Sequence, residues 1–174
     1  MNTEIEIHPF GKFAPKKSRY LLLGSFTGKM TEDNNYDWFY GTKRNQFWAI
    51  FRAVYNLPLE TKIQKEELFT NLQLAISDII YSCARIKGSN LDNNLVNITY
   101  NTKIISSILK NNKIDKIFFS SKFVEKEFNR KFKDLINKYP NIQYETLPSP
   151  SPRYAAMSLK DKILRYKKLL PKLR

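Results

Sequence analysis

The stretch LLLGSFTGKMTEDNNYDWFYGTKRNQFW, residues 21–48, is the most informative part of the sequence for the fold. Its apolar start, together with Tyr20, predicts a buried strand, and Gly24 and Gly28 bound the loop that follows. Residues 44–48 then begin a helix with apolar periodicity. A strand, a glycine-bounded loop and a helix form the unit on which α/β proteins build ligand sites, at the carboxyl ends of their strands. We therefore expect a site here, although a single turn of this kind is also compatible with a plain connection.

The rest of the chain alternates between predicted helices and strands, which is typical of an α/β protein with a mostly parallel sheet covered on both faces. Residues 1–18 are predicted to be an irregular leader and residues 83–94 a polar loop. We expect one domain over residues 1–174. The strands are predicted at 19–24, 75–82, 114–119 and 142–147, and the helices at 44–55, 60–73 (with Thr61 as a cap), 102–109, 121–139 and 155–170.

The composition is strongly basic, with 30 Lys and Arg against 16 Asp and Glu, a net charge of +14. Such a charge is typical of a protein that binds a polyanion, most simply nucleic acid. The alternative is a basic surface without a specific partner. No apolar run approaches the roughly 20 residues that span a bilayer, and the N-terminus has no secretory pattern. We therefore expect a cytoplasmic protein that does not act at a membrane.

Cysteine and histidine are each present once, as Cys83 and His8. One cysteine excludes an intramolecular disulfide, an iron–sulfur cluster and a zinc site built from several thiolates. A single histidine before the first strand is more typical of a surface or packing residue than of a catalytic base. The sequence thus predicts no metal, no cofactor and no Ser-His-Asp mechanism.

A second motif, LPSPSPRY at residues 147–154, also falls between a predicted strand and a predicted helix. Its three prolines fix φ and remove backbone donors, so Ser149 and Ser151 must supply much of the hydrogen bonding. A stiff loop with exposed hydroxyls and an adjacent Arg153 is suited to binding phosphates. The alternative is a rigid connector that only caps the last helix.

Four segments, in this order, resemble motifs of the uracil-DNA glycosylase superfamily. GSFTG (24–28) resembles its first motif, and YGTKRNQFW (40–48) resembles the segment written around H-P-x-N-x-F-W. ISDIIYSCARIKGSNLDNN (76–94) resembles the stretch W-D-V-I-x-S-C-x-R-x-G-S-x-L-D-x-N, and LPSPSP (147–152) resembles L-P-S-x-S-P. The resemblance extends over roughly residues 20–170. It is strongest to the hypoxanthine-DNA glycosylase and mismatch-specific uracil/thymine glycosylase branches.

The resemblance implies a three-layer α/β/α sandwich around a four-stranded parallel sheet, and hydrolysis of the N-glycosidic bond of a damaged base in DNA. It implies that Asn45 is the catalytic polar residue. It also implies a base pocket and a DNA-gripping loop. The base-binding positions are Gly24, Ser25, Phe26, Tyr40 and Asp78, and the expected DNA contacts are Lys43, Arg44, Ser149, Ser151, Arg153 and Tyr154, with Lys29 on the same face.

The chain departs from the family pattern at three places. Thr42 and Lys43 replace the His-Pro before the asparagine, Leu147 replaces a histidine, and the first motif has no Asp or Asn. These departures favour an alternative, a nucleic-acid or nucleobase-binding module that does not cleave. A third alternative is an unrelated α/β hydrolase or nucleotide-binding protein. It is disfavoured because the sequence contains no Walker loop and no nucleophile elbow.

Glycosidic cleavage needs few catalytic groups, because negative charge grows on the leaving base while the sugar becomes oxocarbenium-like. Placed dipoles stabilise such a transition state better than a strong nucleophile does. Asn45 can hold the attacking water, although an amide cannot act as a true base. The competing interpretation of Asn45 is a helix N-cap. Asp78 is an alternative base, and Asp92 is expected at the rim of the pocket. We expect the protein to act as a monomer.

Overall fold

The structure is a computed structural model that describes residues 4–32 and 35–173. These residues form eight strands and six α-helices. The strands are β1 (Glu6–Ile7), β2 (Lys12–Phe13), β3 (Tyr20–Gly24), β4 (Leu74–Asp78), β5 (Ile80–Arg85), β6 (Leu95–Tyr100), β7 (Lys116–Phe119) and β8 (Gln143–Thr146). The helices are α1 (Phe47–Tyr55), α2 (Lys62–Asn71), α3 (Thr102–Asn111), α4 (Lys122–Lys131), α5 (Lys133–Lys138) and α6 (Leu159–Leu169).

The central sheet has five strands in the order β2-β4-β3-β7-β8. Strands β4, β3, β7 and β8 run parallel, as the helix–strand alternation predicts. In the register, Gly24 lies opposite Asp78, and Leu23 lies opposite Phe119. The carboxyl ends of the four parallel strands therefore meet at one edge of the sheet, and the loops that follow them share that edge.

The prediction of a purely parallel four-stranded sheet is incomplete. β2 adds a fifth, antiparallel strand beside β4, so the sheet is mixed. A second, antiparallel sheet has the order β1-β5-β6. Residues 1–18 are thus not all irregular, and residues 83–85, predicted as loop, end β5. Arg85 made this segment look polar, but its side chain is buried because Glu6 of β1 pairs with it at 2.9 Å.

The helices differ from their predicted limits in ways that have local causes. Thr61 caps α2 with a complete capping box, as predicted. The single helix predicted over 121–139 is instead two, because Phe132 leaves helical dihedral angles (φ −113°, ψ 29°) and is buried against Phe128. The last helix starts later than predicted, at Leu159, because the Ser158 hydroxyl accepts the backbone N–H of Asp161 and so satisfies a free donor of the first turn.

Two apolar cores lie on opposite faces of the central sheet, since successive side chains of a strand point to opposite sides. Leu21 and Leu23 pack with α3, α4 and α5. Leu22 packs with α1, α2 and α6, and the aromatic cluster around Trp38 and Trp48 belongs to this second core. Helices thus cover both faces and leave the edges of the sheet for loops. Among the residues described, no helix is long and apolar enough to cross a membrane.

Candidate functional site

A cavity of about 830 Å³ opens at the carboxyl edge of the parallel strands. It is the place where the first motif, the aromatic loop, the segment after β4 and the proline-rich loop converge. Residues 24–28 and 147–152, two loops that each follow a predicted strand, both contribute to its wall. The lining residues are Ser25, Phe26, Thr27, Gly28, Tyr40, Gly41, Thr42, Lys43, Arg44, Asn45, Asp78, Asn90, Leu91, Asp92, Ser120, Ser121, Ser149, Pro150, Ser151, Pro152 and Arg153.

Three of the residues predicted for the site, Gly24, Tyr154 and Lys29, do not line the cavity. Gly24 is buried at the end of β3, and its contribution is space: a Cβ there would lie 2.2 Å from Asp78 Oδ1 and 2.5 Å from the Tyr40 hydroxyl. Tyr154 lies outside the lining, and the Lys162 ammonium sits 5.4 Å from the centre of its ring. The lack of a side chain at Gly24 lets Asp78 and Tyr40 approach the end of β3, and its base contact stays a prediction.

His8 forms a buried hydrogen bond with Asp78 that the sequence motifs do not predict. His8 Nε2 lies 2.7 Å from Asp78 Oδ2. His8 Nδ1 accepts the backbone N–H groups of Phe10 at 3.2 Å and Gly11 at 3.3 Å, so the proton of the ring is on Nε2. The imidazole is therefore the neutral tautomer that donates to the carboxylate. Seventy residues separate the two groups, and no local pattern in the sequence connects them.

Tyr40 has an unusual environment for a tyrosine. Its backbone has a positive φ of 56°, and its ring stacks on Phe47 with centroids 3.9 Å apart. Its hydroxyl oxygen is buried and, among the described residues, has no hydrogen-bond partner of acceptable geometry, although Ser120 lies nearby. A buried unpaired polar group costs about 1–3 kcal/mol. Burial, and then the charge of Asp78, raise the pKa of Tyr40 well above its ordinary value, so the hydroxyl remains a donor.

A second carboxyl group, Asp92, lines the same cavity, in agreement with the rim position expected from the sequence. Burial, followed by the nearby charge of Asp78, raises the pKa of Asp92, while a hydrogen bond with Ser25 opposes the rise. The ionised form of Asp92, buried beside Asp78 in a partly enclosed space, lowers the stability of the fold. Such a cost is typical of a site kept for function rather than for stability.

Asn45 lines the cavity at the start of α1, yet it also makes a hydrogen bond of the kind a cap makes. Its Oδ1 accepts the backbone N–H of Phe47 at 2.9 Å, and its own N–H donates to Thr42 O at 3.0 Å. The N-cap position of the helix itself is Gln46, whose side chain makes no capping bond. Both interpretations of Asn45 thus have a geometric basis, because a carbonyl oxygen can accept a second hydrogen bond.

The proline-rich loop is held by the last helix. Tyr166 of α6 donates from its hydroxyl to Pro148 O at 2.8 Å. The buried Lys162 ammonium donates to Ser151 O and to Gln46 Oε1, each at 2.9 Å. This lysine therefore joins the loop to the residue that follows Asn45. Burial lowers the pKa of Lys162. No sequence pattern distinguishes it, because a lysine in a basic helix resembles any solvated one.

The loop hydroxyls behave as expected from the loss of backbone donors to proline. Ser149 Oγ accepts the N–H of Ser151, and Ser151 Oγ accepts the N–H of Arg153, each at 3.3 Å. These bonds leave each hydroxyl hydrogen able to donate. The loop can therefore present donors to a phosphate without unfolding its own turns.

The first-motif loop is held by Arg85, another residue to which the sequence motifs assign no role. Its guanidinium donates to Thr27 O, to Asn90 Oδ1 and to Glu6. The guanidinium carbon also lies 5.2 Å from the centre of the Phe26 ring. Arg85 thus ties the small antiparallel sheet to the loop and holds the aromatic ring that lines the cavity.

Charge is distributed unevenly over the cavity. Lys43, Arg44 and Arg153 are exposed and line it, whereas Asp78 is almost fully buried. Lys29, predicted for the same face, does not belong to the lining; its backbone N–H donates to Asn90 Oδ1 at 2.8 Å. Within the described part of the chain, no group of three or more His, Cys, Asp or Glu side chains is arranged to hold a metal ion. The cavity thus has cationic side chains at its solvent-exposed part and the carboxylate of Asp78 in its interior.

Comparisons with known proteins bear on the fold. No family model matches the sequence, and no curated protein matches it. The structure is similar to the solution NMR structure of a candidate uracil DNA glycosylase from Methanosarcina acetivorans, with a TM-score of 0.66 and 16% sequence identity. The similarity covers 95% of this chain and 96% of that one. The fold is uracil-DNA-glycosylase-like. At this level of identity the similarity concerns the architecture, which agrees with the fold that the four sequence motifs imply.

Proposed function

We propose that the protein is a monofunctional DNA glycosylase that hydrolyses the N-glycosidic bond of a deaminated base, hypoxanthine or uracil, in base excision repair. The observation that carries the proposal is the cavity at the carboxyl edge of a uracil-DNA-glycosylase-like sheet. Asn45, an aromatic ring and exposed cations line this one cavity. These are the groups that excision of a flipped base requires.

Catalysis in this proposal depends on placed dipoles. Water adds to the anomeric carbon, the N-glycosidic bond breaks, and its electron pair goes to the leaving base, which then takes a proton. Asn45 holds the water, and backbone N–H groups of the loop after β3 stabilise the negative charge on the base. Asp78 is the alternative group for orienting the water, since its carboxylate lines the same cavity.

Recognition of the base combines stacking with base flipping. Unstacking a base costs a few kcal/mol, and stacking on an aromatic ring returns roughly 1–3 kcal/mol. Phe26 and Tyr40 are the aromatic rings that line this cavity. Each already has one neighbour against its ring, Arg85 against Phe26 and Phe47 against Tyr40, so a base would stack on the remaining face of either ring.

Contacts with DNA follow from the exposed cations and the stiff loop. Lys43, Arg44 and Arg153 bind backbone phosphates, and Ser149 and Ser151 donate to a phosphate oxygen. Either Arg153 or Tyr154 fills the gap that the flipped base leaves. The protein acts as a monomer on duplex DNA.

A second candidate function, a nucleic-acid or nucleobase-binding module that does not cleave, is favoured by one observation. Asn45 Oδ1 already accepts the N–H of Phe47, as a purely structural residue would. In that case the cavity binds a base and the chemistry is absent.

An excision assay separates the two functions. Duplex oligonucleotides carrying uracil, hypoxanthine, xanthine or mispaired thymine are incubated with excess protein, and abasic sites are detected by alkaline cleavage. If the protein is a glycosylase, abasic sites should appear on the hypoxanthine or uracil duplex. Tight duplex binding with no abasic site on any of the four substrates would contradict it and support the binding module.

A further inference from the structure

The side chain of Lys162 is buried where α6, the proline-rich loop and the start of α1 meet. It is 1% exposed, whereas Lys167 of the same helix is exposed. Its ammonium donates to Ser151 O and to Gln46 Oε1, each at 2.9 Å, and lies 5.4 Å from the centre of the Tyr154 ring. A buried ammonium is costly unless its N–H groups are hydrogen-bonded. These contacts therefore fix both the ammonium and the segments that accept from it.

Gln46 carries this contact to the start of α1. Its side chain accepts from the Lys162 ammonium, and its backbone N–H donates to Pro150 O at 2.9 Å. Its carbonyl oxygen accepts the N–H of Ile50, also at 2.9 Å, which is a bond of the first turn of the helix. Asn45, the residue expected to hold the attacking water, directly precedes it. The position of Asn45 thus depends on where the loop and Lys162 hold Gln46.

A second residue of α6 holds the other end of the loop. Tyr166 follows Lys162 by four residues, a spacing that places two side chains on one face of a helix. The hydroxyl of Tyr166 donates to Pro148 O at 2.8 Å. The loop is therefore anchored at Pro148 and at Ser151 on one helix. A phosphate bound by this loop has a fixed place relative to the start of α1.

We propose that Lys162 is a positioning residue that sets the place of Asn45 relative to the phosphate bound by the proline-rich loop. The inference rests on the proposed function, which assigns the phosphate to Ser149 and Ser151 and the attacking water to Asn45. Lys162 lies outside the lining of the cavity, and it acts by holding Ser151 O and Gln46 Oε1 on one ammonium.

This arrangement makes the phosphate contribute to the rate of excision as well as to affinity. Binding energy from a part of the substrate that does not react can be used to orient the reacting groups, and its loss then lowers turnover. A displacement of about 1 Å at the reacting groups can cost roughly 100-fold in rate. Without the ammonium of Lys162, the backbone bond from Gln46 to Pro150 O remains, and the placement of Asn45 becomes looser.

Replacing individual phosphates tests this inference. Single-turnover excision is measured with saturating protein on duplexes in which each phosphate flanking the hypoxanthine or uracil nucleotide is replaced, one at a time, by a neutral methylphosphonate. In the wild type, one of these replacements is expected to slow excision about 10- to 100-fold. Lys162→Met keeps a long unbranched side chain but has no donor. Its rate on the unmodified duplex should be about tenfold lower, and the same replacement should slow it less than about threefold further.

Three further variants separate positioning from loss of stability. Lys167→Met removes the same charge from an exposed position of α6 and should keep the wild-type rate and phosphate effect. Gln46→Met removes the acceptor and should reproduce the reduced phosphate effect, whereas Gln46→Glu keeps an acceptor and should retain the full effect. Thermal melting of each variant measures the folded fraction, and the two Gln46 variants decide the test if Lys162→Met does not fold.

The outcomes separate this inference from the proposed function. A reduced phosphate effect in Lys162→Met and Gln46→Met, but not in Lys167→Met, supports the positioning role. A lower melting temperature in Lys162→Met, with the full phosphate effect in each folded molecule, overturns the positioning role and leaves the glycosylase standing. A wild type whose excision is slowed by none of the replacements has the same consequence. A wild type that excises no base overturns both, because Asn45 then has no reaction to serve.

Discussion

The two edges of the central sheet both carry a hollow, and they differ in what lies beneath the surface. The amino edge has the larger one, about 1020 Å³, lined by Arg19, Lys110, Lys113, Lys116 and Lys138 with Asp115 as the acidic group. Its charged side chains are near solvent, and Arg19 pairs with Asp115. The carboxyl edge has the smaller cavity and fewer cations, but it holds Asp78, Asp92 and the buried Tyr40 hydroxyl.

This difference shows that volume and positive charge do not by themselves mark a site. Basic surface is expected anywhere on a chain with net charge +14. Buried polar groups are different, because each one costs stability unless a partner satisfies it. The carboxyl edge carries such groups, whereas the described lining of the amino edge carries one ion pair, Arg19 with Asp115, and lysines near solvent. We therefore expect substitutions to affect function at the carboxyl edge and to have little effect at the amino edge.

The largest change is expected in the rate of base excision at the carboxyl edge. Asn45→Ala should lower single-turnover excision about 10²–10³-fold, because it removes a preorganised dipole. Fold stability should fall by no more than about 0.5–2 kcal/mol, the cost of losing a cap. Asn141→Ala, which changes an exposed asparagine of the amino-edge hollow, is the matched control and should leave excision unchanged.

A purely structural Asn45 would give the reverse pattern. Melting would shift, while turnover for each folded molecule would equal that of the wild type. Equal single-turnover rates in Asn45→Ala and wild type would remove Asn45 from the chemistry and leave Asp78 as the group that orients water.

The next largest effect is on DNA affinity. Replacing Lys43 and Arg44 together by alanine should weaken duplex binding roughly 10- to 100-fold at physiological salt and reduce the slope of log affinity against log salt by about two. The matched pair at the amino edge, Lys110→Ala with Lys113→Ala, should leave the slope nearly unchanged. A greater loss from the amino-edge pair would place the DNA on the side of the sheet opposite the cavity and contradict the prediction.

A smaller effect is expected on stability at the loop clamp. Lys162→Met removes two hydrogen bonds and leaves Ser151 O and Gln46 Oε1 without their donor, which should cost about 1–3 kcal/mol in urea unfolding. Lys113→Met at the amino edge should stay within about 0.5 kcal/mol of wild type. A Lys162 variant as stable as the wild type would show that the loop does not depend on this clamp.

The smallest expected effect is an increase in folding stability. Since the pKa of Asp92 is raised in the folded state, its ionised form destabilises the fold at neutral pH, and the penalty disappears as pH falls through the folded pKa. Asp92→Asn should therefore stabilise the protein by about 0.5–2 kcal/mol near neutral pH, with a gain that shrinks in acid. Asp115→Asn, which breaks an exposed pair with Arg19, should instead lose up to about 1 kcal/mol. Unfolding curves over a pH series decide the sign.

The sequence was informative where function depends on neighbouring residues and on strand order. Parallel strands bring their carboxyl ends to one edge, so the sequence alone predicts that residues 24–28 and 147–152 lie together. Lys43, Arg44 and Asn45 are predicted beside them because they open the helix that follows the first loop. All three line one cavity, and their roles remain predictions.

The sequence was uninformative where a contact joins distant segments. The His8–Asp78 bond depends on β1 and β5 pairing in a second sheet, and a two-residue strand has too short a pattern to be recognised. Lys162 resembles its neighbours in the sequence and differs from them only in burial. The pKa of Tyr40 is raised by burial and then by the charge of Asp78, and both come from three-dimensional packing.

Amide hydrogen exchange with and without a duplex that contains a stable abasic-site analogue locates the DNA-binding edge, because it compares both edges of the sheet in one measurement. Protection should appear in residues 24–28, 42–46 and 147–153, at the carboxyl edge, and should be absent from residues 109–116 and 138–143, at the amino edge. Protection confined to the amino-edge segments would contradict the assignment of the site to the cavity that holds Asn45, Asp78 and Tyr40.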